Sequence, residues 1–94
     1  MIVIRNRFIA KPGMAGKLAA TLKDAAVAGK LTNVRVMTDF TGDFNTVVME
    51  HEAASLGEFE AKLREYMTSA EMREKMKGYT DLWTTGSREI FQIV

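Results

Sequence analysis

The sequence predicts an α+β fold in which a four-stranded antiparallel sheet carries two helices on one face, the ferredoxin-like arrangement. Segments with strand-like alternation and segments with helical spacing follow one another in the order β-α-β-β-α-β. The chain has 94 residues, which suits one domain with a small core. We therefore expect residues 1–94 to form a single domain, with right-handed crossovers and the sheet order four-one-three-two.

The first strand and the first helix follow from the spacing of apolar residues. Residues 2–10 alternate, so that one strand face is mostly apolar and the other carries Arg5 and Arg7. Lys11, Pro12 and Gly13 end that strand. From residue 14 to residue 28, apolar side chains recur at helical spacing, and Gly29 stands where a helix C-cap is expected. This segment predicts an amphipathic helix of about four turns.

A hairpin and a second helix fill the middle of the chain. Residues 33–40 and 45–52 are strand-like, and the turn between them contains Gly42, which can adopt positive φ, and Asp43. Ser55 and Glu58 have the spacing of a capping box, which predicts a helix start. The apolar stripe of that helix should comprise Leu56, Phe59, Leu63 and either Tyr66 or Met67.

The last part of the chain predicts an interrupted helix and a closing strand. A second capping box, with Thr68 as the N-cap and Glu71 three residues later, predicts that the helix breaks and restarts. Gly78 should end it, and residues 87–94 form the last strand.

The predicted sheet has a face that its own helices do not cover. That face would expose apolar side chains beside arginines, a patch larger than soluble monomers usually tolerate. Packing two such sheets face to face across a two-fold axis would cover both. We therefore predict a homodimer, a dimeric α/β barrel with eight strands around its interior.

Composition excludes several classes of function. The 13 basic and 12 acidic side chains leave a net charge of +1, which gives no electrostatic footprint for nucleic acid or an anionic membrane. With no cysteine and one histidine, the chain offers neither thiolate ligands nor a classical zinc site, and we predict no metal and no cofactor. Arg5 and Arg7 interrupt the apolar start, so we expect no signal peptide or membrane span and a cytoplasmic location.

Four segments together resemble the dimeric α/β-barrel superfamily: IVIRNRFIAKPGMAGKL, RVMTDFTGDFNTVVMEHE, SLGEFEAKL and GSREIFQIV. Among its branches, the chain is similar to NIPSNAP-like proteins and, more distantly, to antibiotic-biosynthesis-type monooxygenases. The resemblance implies a dimer with a ligand-sized cavity between sheet and helices. It implies no particular substrate, because the superfamily includes cofactor-free oxygenases, isomerases and proteins without known activity.

Three arginines are candidates for binding a ligand or stabilising charge. Arg5 and Arg7 lie on a central strand, so they must either pair with carboxylates such as Asp39, Glu50 and Glu89 or line a wet cavity. Arg88, near the start of the last strand, would lie beside strand one and join them. A guanidinium group suits an enolate, a phenolate or a carboxylate.

His51, Tyr66, Tyr79 and Trp83 are the remaining candidates. His51 has an intrinsic pKa near neutrality and would serve as a general base, or it is a partly exposed residue beside a helix start. Tyr66 would move a proton. Tyr79 and Trp83 would form an aromatic ligand-binding wall, or simply pack beneath a loop.

Two functions from different classes are consistent with these residues. One is a cofactor-independent enzyme, monooxygenase-like or isomerase-like, that acts on a small aromatic or polyketide-like molecule, with His51, Arg88 and Tyr66 catalytic. The other is a non-catalytic homodimer that binds a small molecule or serves as a scaffold. An enzyme would keep its arginines unpaired and facing a cavity of about 300 Å³ or more, whereas a non-catalytic protein would have them tied to carboxylates in a filled interior.

Overall fold

The structure, a computed structural model, describes residues 1–94 and confirms the predicted α+β, ferredoxin-like fold. The elements are strand β1 (Ile2–Ala10), helix α1 (Ala15–Ala28), strands β2 (Thr32–Thr38) and β3 (Thr46–Ala53), helices α2 (Leu56–Thr68) and α3 (Ala70–Lys75), a short 3-10 helix (Tyr79–Asp81) and strand β4 (Trp83–Gln92). The sheet order is β2-β3-β1-β4, and all neighbours are antiparallel, as predicted. None of the helices is both long and apolar enough to span a bilayer.

Strand β1 divides the sheet into two chemically different faces. Its even-numbered residues are buried and its odd-numbered residues are only partly buried, in strict alternation. Because successive strand side chains point to opposite faces, the helices cover the even-numbered side. Arg5 and Arg7 therefore lie on the other face, called the open face below.

The core lies between β1, β3 and α1. Its buried members are apolar: Phe8, Ala10, Leu18, Leu22, Val47 and Leu82. A smaller cluster forms at the far end of the sheet from Ile2, Ile4 and Ala53, with Phe59 of α2 packed against it. Burial of one face of α1 follows from its helical spacing, as the sequence predicts.

Helix α2 packs more loosely than the sequence predicts. Ser55 is its N-cap, as expected, and the Ser55 hydroxyl accepts a hydrogen bond from the backbone N–H of Glu58. No residue of α2 is fully buried, and Leu56 and Met67 are mostly exposed. The expected apolar stripe reduces to Phe59, Leu63 and Tyr66, each half-buried. This loose packing leaves space between part of α2 and the sheet.

The helix is interrupted between α2 and α3 as predicted, but the N-cap of α3 is one residue later than expected. Ser69, not Thr68, is the N-cap of α3, and its hydroxyl accepts a hydrogen bond from the N–H of Met72. Thr68 instead donates to the carbonyl of Arg64 inside α2. Gly78 has φ 79° and ends this helical region. This left-handed conformation is one that glycine adopts without steric cost.

Strand boundaries differ from the prediction at three places. Strand β2 ends at Thr38, two residues early, because the backbone N–H of Thr46 donates to the carboxylate of Asp39 and closes the hairpin there. Gly42 in that hairpin has the positive φ that the sequence predicts, 121°. Strand β3 is shifted by one residue at each end. Strand β4 starts at Trp83, four residues early, because it pairs with the whole of β1.

Ion pairs link the arginines of the open face to carboxylates. Glu50 is buried and accepts hydrogen bonds from Arg5 Nε at 2.6 Å and from Arg35. These two bonds hold the pKa of the Glu50 carboxyl below its ordinary value, so it stays ionised. Arg7 pairs with Asp43 at 2.9 Å. Both arginines are therefore paired with carboxylates. Arg5 has one of the expected partners, Glu50, whereas the partner of Arg7 is Asp43 in place of Asp39 or Glu89.

We expect Leu18→Ala to lower the free energy of unfolding by about 3 kcal/mol, because it removes a fully buried side chain and leaves a cavity. Leu56→Ala makes the same chemical change at a position that is 61% exposed and should stay within about 0.5 kcal/mol of the unmodified protein. Urea denaturation followed by Trp83 fluorescence measures both. Equal effects of the two substitutions would contradict the core described here.

Candidate functional site

A cavity of about 380 Å³ lies between the helix-facing side of the sheet and the three α-helices. This volume is within the usual range for small-molecule sites. The cavity exists because α2 packs loosely and because α1 turns two small residues, Ala25 and Ala26, toward it. Its walls are mostly apolar. The larger apolar contributors are Phe8, Leu22, Leu31, Met49, Phe59, Leu63, Met72 and Met76.

Among the residues with hydrogen-bonding or titratable side chains that line this cavity, five come from five different elements: Asn6, His51, Tyr66, Tyr79 and Arg88. Strand register explains the three that lie on the sheet. His51 pairs with Ile4 on one side of β1, and Arg88 pairs with Asn6 on the other side. Since Ile4 and Asn6 share a face, so do His51 and Arg88. The structure thus brings together all three predicted catalytic residues, His51, Arg88 and Tyr66, and one predicted ligand-binding residue, Tyr79.

The expectation that Arg88 would join Arg5 and Arg7 is wrong, because its pairing with Asn6 places it on the helix-facing side of the sheet. Arg88 also differs from the arginines of the open face because no carboxylate pairs with it. Its Nε donates to Asn6 Oδ1 at 2.7 Å, and its guanidinium carbon lies 5.3 Å from the centre of the Phe59 ring. None of the four ion pairs in the chain includes Arg88. A positive charge without a counter-ion therefore borders an apolar cavity.

His51 is buried, and the expectation of a partly exposed residue is wrong. It is 5% exposed, on the central strand β3, with its ring 6.0 Å from that of Phe59. Burial lowers the pKa of the imidazole below its ordinary value of 6.5, and the charge of Arg88 lowers it further. His51 is consequently neutral at pH 7 and can accept a proton.

The two tyrosines keep their protons. Burial raises the pKa of both hydroxyl groups above the ordinary value of 10, although the charge of Arg88 opposes part of the shift at Tyr79. A phenol that stays protonated is a hydrogen-bond donor at neutral pH. Tyr66 on α2 and Tyr79 on the 3-10 helix can thus donate to an oxygen of a ligand.

Arg5, Arg7 and Trp83 do not line this cavity. The alternation of β1 places both arginines on the open face, where they are paired as described above. Trp83 packs beneath the loop instead, with its ring 5.3 Å from Phe8 and 5.8 Å from Tyr79. Its indole Nε1 is buried without a hydrogen-bond partner. The packing alternative describes Trp83, and we exclude these three residues from the site.

Sequence reasoning missed three residues that shape the site: Asn6, Phe59 as a ring beneath both His51 and Arg88, and Lys62. Asn6 carried a usable signal, because it is the one polar residue on the apolar face of β1. Lys62 donates to the carbonyl of Gly29 at 3.5 Å and so links α2 to the end of α1. No group of three or more His, Cys, Asp or Glu side chains is placed to hold a metal ion.

The fold is that of NIPSNAP domain proteins. A NIPSNAP domain protein from Burkholderia xenovorans superposes with a TM-score of 0.86 at 11% sequence identity, over 100% of this chain and 95% of that one. A putative antibiotic biosynthesis monooxygenase from Chloroflexus aurantiacus gives a TM-score of 0.78 at 16% identity, over 99% and 92%. A variant of SnoaB, a cofactor-independent oxygenase from Streptomyces nogalater, gives 0.74 at 11%, over 98% and 91%.

At these identities the structural likeness shows a shared fold and no shared activity. No protein-family model matches the sequence, and no curated protein matches it. The resemblance to NIPSNAP-like proteins, and the more distant one to antibiotic-biosynthesis-type monooxygenases, is therefore confirmed for the fold. The chemistry of the cavity has to be argued from its own residues.

We expect the single histidine to titrate with a midpoint below 6.5, because burial and Arg88 both disfavour the imidazolium. Arg88→Met should move that midpoint upward, though not fully to the ordinary value, since burial remains. Proton NMR of the His51 C2–H signal across pH 4.5 to about 8 measures this without overlap from other histidines. Arg73→Met, at an exposed position of α3, is the control and should leave the midpoint unchanged. A midpoint at or above 6.5 would contradict the buried position.

Proposed function

We propose that the chain is a cofactor-independent enzyme that moves a proton on a small aromatic or polyketide-like molecule bound in the cavity. The observation that carries the proposal is the unpaired Arg88 beside a buried His51 in a cavity of about 380 Å³. The arginines of the open face have carboxylate partners, so Arg88 alone among these candidates keeps its charge for a ligand. Monooxygenase-like and isomerase-like reactions both begin with this proton transfer.

The residues have complementary parts in such a reaction. Neutral His51 would accept a proton from a carbon next to a carbonyl or from a phenol, which leaves the electron pair on the ligand as an enolate or phenolate. Arg88 would stabilise that negative charge, and the apolar walls would strengthen the attraction by excluding water. Return of the proton at another atom completes an isomerisation. In an oxygenase, molecular oxygen would be the co-reactant: one oxygen atom would replace the two hydrogens of the reacting carbon as a carbonyl oxygen, and the other would leave with those hydrogens as water.

The comparison with a cofactor-independent oxygenase supports this proposal only in part. SnoaB shares the fold, which is compatible with an enzyme that binds no metal or organic cofactor. The arrangement of His51, Arg88 and the protonated tyrosines gives the stronger support, because it supplies a base, a cation and two donors around one space.

We expect the protein to speed the exchange of the α-protons of 2-tetralone, an aromatic ketone, for deuterium in D₂O at pH 7.5. His51→Gln should lower the protein-dependent rate by about 100-fold, the lower end of general-base contributions, and Arg88→Met should also lower it. Arg73→Met is the matched control and should keep the full rate. Proton NMR follows the loss of the α-proton signals.

Two results would overturn the enzyme proposal. Binding of 2-tetralone, seen as shifts of cavity signals, without any faster exchange would favour the non-catalytic binding protein. If 2-tetralone neither binds nor exchanges its α-protons faster, the result would argue against this class of ligand altogether.

We further propose that two copies of the chain pair through their open faces. This face exposes apolar side chains, among them Met37 of β2 and Phe91 of β4, beside the paired arginines. Because Glu50 is shared by Arg5 and Arg35 and Asp43 pairs with Arg7, burial of the face would leave no arginine without a carboxylate partner. A second copy has the matching surface by symmetry.

Native mass spectrometry should show a homodimer. Phe91→Glu should shift it toward monomer, because it places a carboxylate in the proposed interface. Val27→Glu introduces the same charge on the outer side of α1, where Val27 is 81% exposed, and should leave the dimer intact. A monomeric protein at micromolar concentration would rule out this pairing.

A further inference from the structure

We infer that Asn6 is the positioning residue for Arg88, and that the pair makes the cavity selective for a flat apolar molecule with a planar two-oxygen anion, such as a carboxylate or an enolised 1,3-dicarbonyl. Asn6 holds Nε of the guanidinium group, which leaves both terminal nitrogens for the ligand. The ligand part of this inference rests on the site proposed above. The positioning part stands without it.

The burial of Asn6 indicates that its amide has a specific task. Asn6 is 8% exposed, and every other residue on its face of β1 is apolar. A buried amide destabilises a protein unless it is hydrogen-bonded. The hydrogen bond of the Asn6 side chain goes to Arg88, 82 residues later in the chain. The pair is thus built across the register of β1 and β4, where these two residues lie opposite each other.

Arg88 needs such a partner because its own strand does not confine it. Strand β4 is at the edge of the sheet, and Arg88 is exposed. A long, free guanidinium side chain loses about 2 kcal/mol of rotamer entropy when a ligand orders it. Asn6 and the Phe59 ring, 5.3 Å away, restrict Arg88 before any ligand arrives. Preorganisation of this kind favours binding.

The remaining donors and the charge of the cavity specify the ligand. Arginine presents five N–H donors in a rigid plane, and the two terminal nitrogens match the spacing of two oxygens. Lys30 and Lys62 also line the cavity, and Glu65 is the single carboxylate among the lining residues. This balance favours an anion. The apolar walls formed by α1, α3 and the sheet would cover a flat hydrocarbon body.

The first experiment needs no ligand. In ¹H–¹⁵N NMR spectra of the protein at pH 6 and low temperature, we expect a slowly exchanging signal from the Nε–H of Arg88, because that N–H is hydrogen-bonded. Asn6→Ala should abolish the slow exchange. Asn6→Asp keeps the acceptor and should preserve it, so the pair of variants separates loss of the contact from loss of the fold. Equal exchange in the unmodified protein and Asn6→Ala would overturn the positioning role.

The second experiment uses 2-naphthoate, which carries a carboxylate, and 2-naphthamide, its neutral isostere. The unmodified protein should bind 2-naphthoate at least about tenfold more tightly, as expected for a hydrogen-bonded charge pair. Asn6→Ala should reduce that ratio because it frees Arg88 from its fixed position. Asn6→Asp should reduce the ratio because the new carboxylate neutralises Arg88. Asn33→Gly, at an exposed position of β2, should leave it unchanged.

The outcomes separate this inference from the proposed enzyme. A preference for 2-naphthoate that depends on Asn6, without any exchange of 2-tetralone, would support the inference and refute the enzyme. Normal 2-tetralone exchange in Asn6→Ala, with no preference between the two naphthalenes in the unmodified protein, would support the enzyme and refute the inference.

Discussion

The alternation of β1 is the constraint on which the rest of the structure depends. Its even-numbered side chains form the floor of the core, and its odd-numbered side chains include two arginines. A shift of one residue in strand register would exchange the two faces and place Arg5 and Arg7 beneath α1. The cost of burying unpaired charge excludes that alternative. The helix-facing positions of both neighbouring strands are therefore fixed by β1, which lies between β3 and β4.

The same register assembles the candidate site. Asn6, His51 and Arg88 are far apart in sequence, but they lie on three neighbouring strands and share one face. The cavity between these three residues and the helices depends on how the helices pack. Small residues in α1 and the loose packing of α2 leave room that larger or more apolar side chains would fill. The site is thus a consequence of tight strand pairing below and incomplete packing above.

Much of the fold could be predicted from the sequence, because strand alternation, helix spacing and the Ser55 cap are local signals. The position of His51 could not, since the segment around it contains apolar residues on both faces, Val47 and Val48, followed by polar ones. The side of the sheet on which Arg88 lies could not be predicted either. Strand β4 is exposed along most of its length and has no alternation of buried and exposed residues. Both positions are fixed by pairing with β1, which is information from distant parts of the chain.

The two faces of the sheet treat positive charge in opposite ways, and this contrast is the strongest argument for a ligand. On the open face, Arg5 and Arg35 share Glu50 and Arg7 pairs with Asp43, so each guanidinium group has a carboxylate partner within the chain. On the helix-facing side, Arg88 has only the neutral amide of Asn6 and an aromatic ring. An acidic residue in place of Asn6 would stabilise Arg88 at little structural expense. A neutral partner fixes the guanidinium group without cancelling its charge, which is the arrangement that an anionic ligand requires.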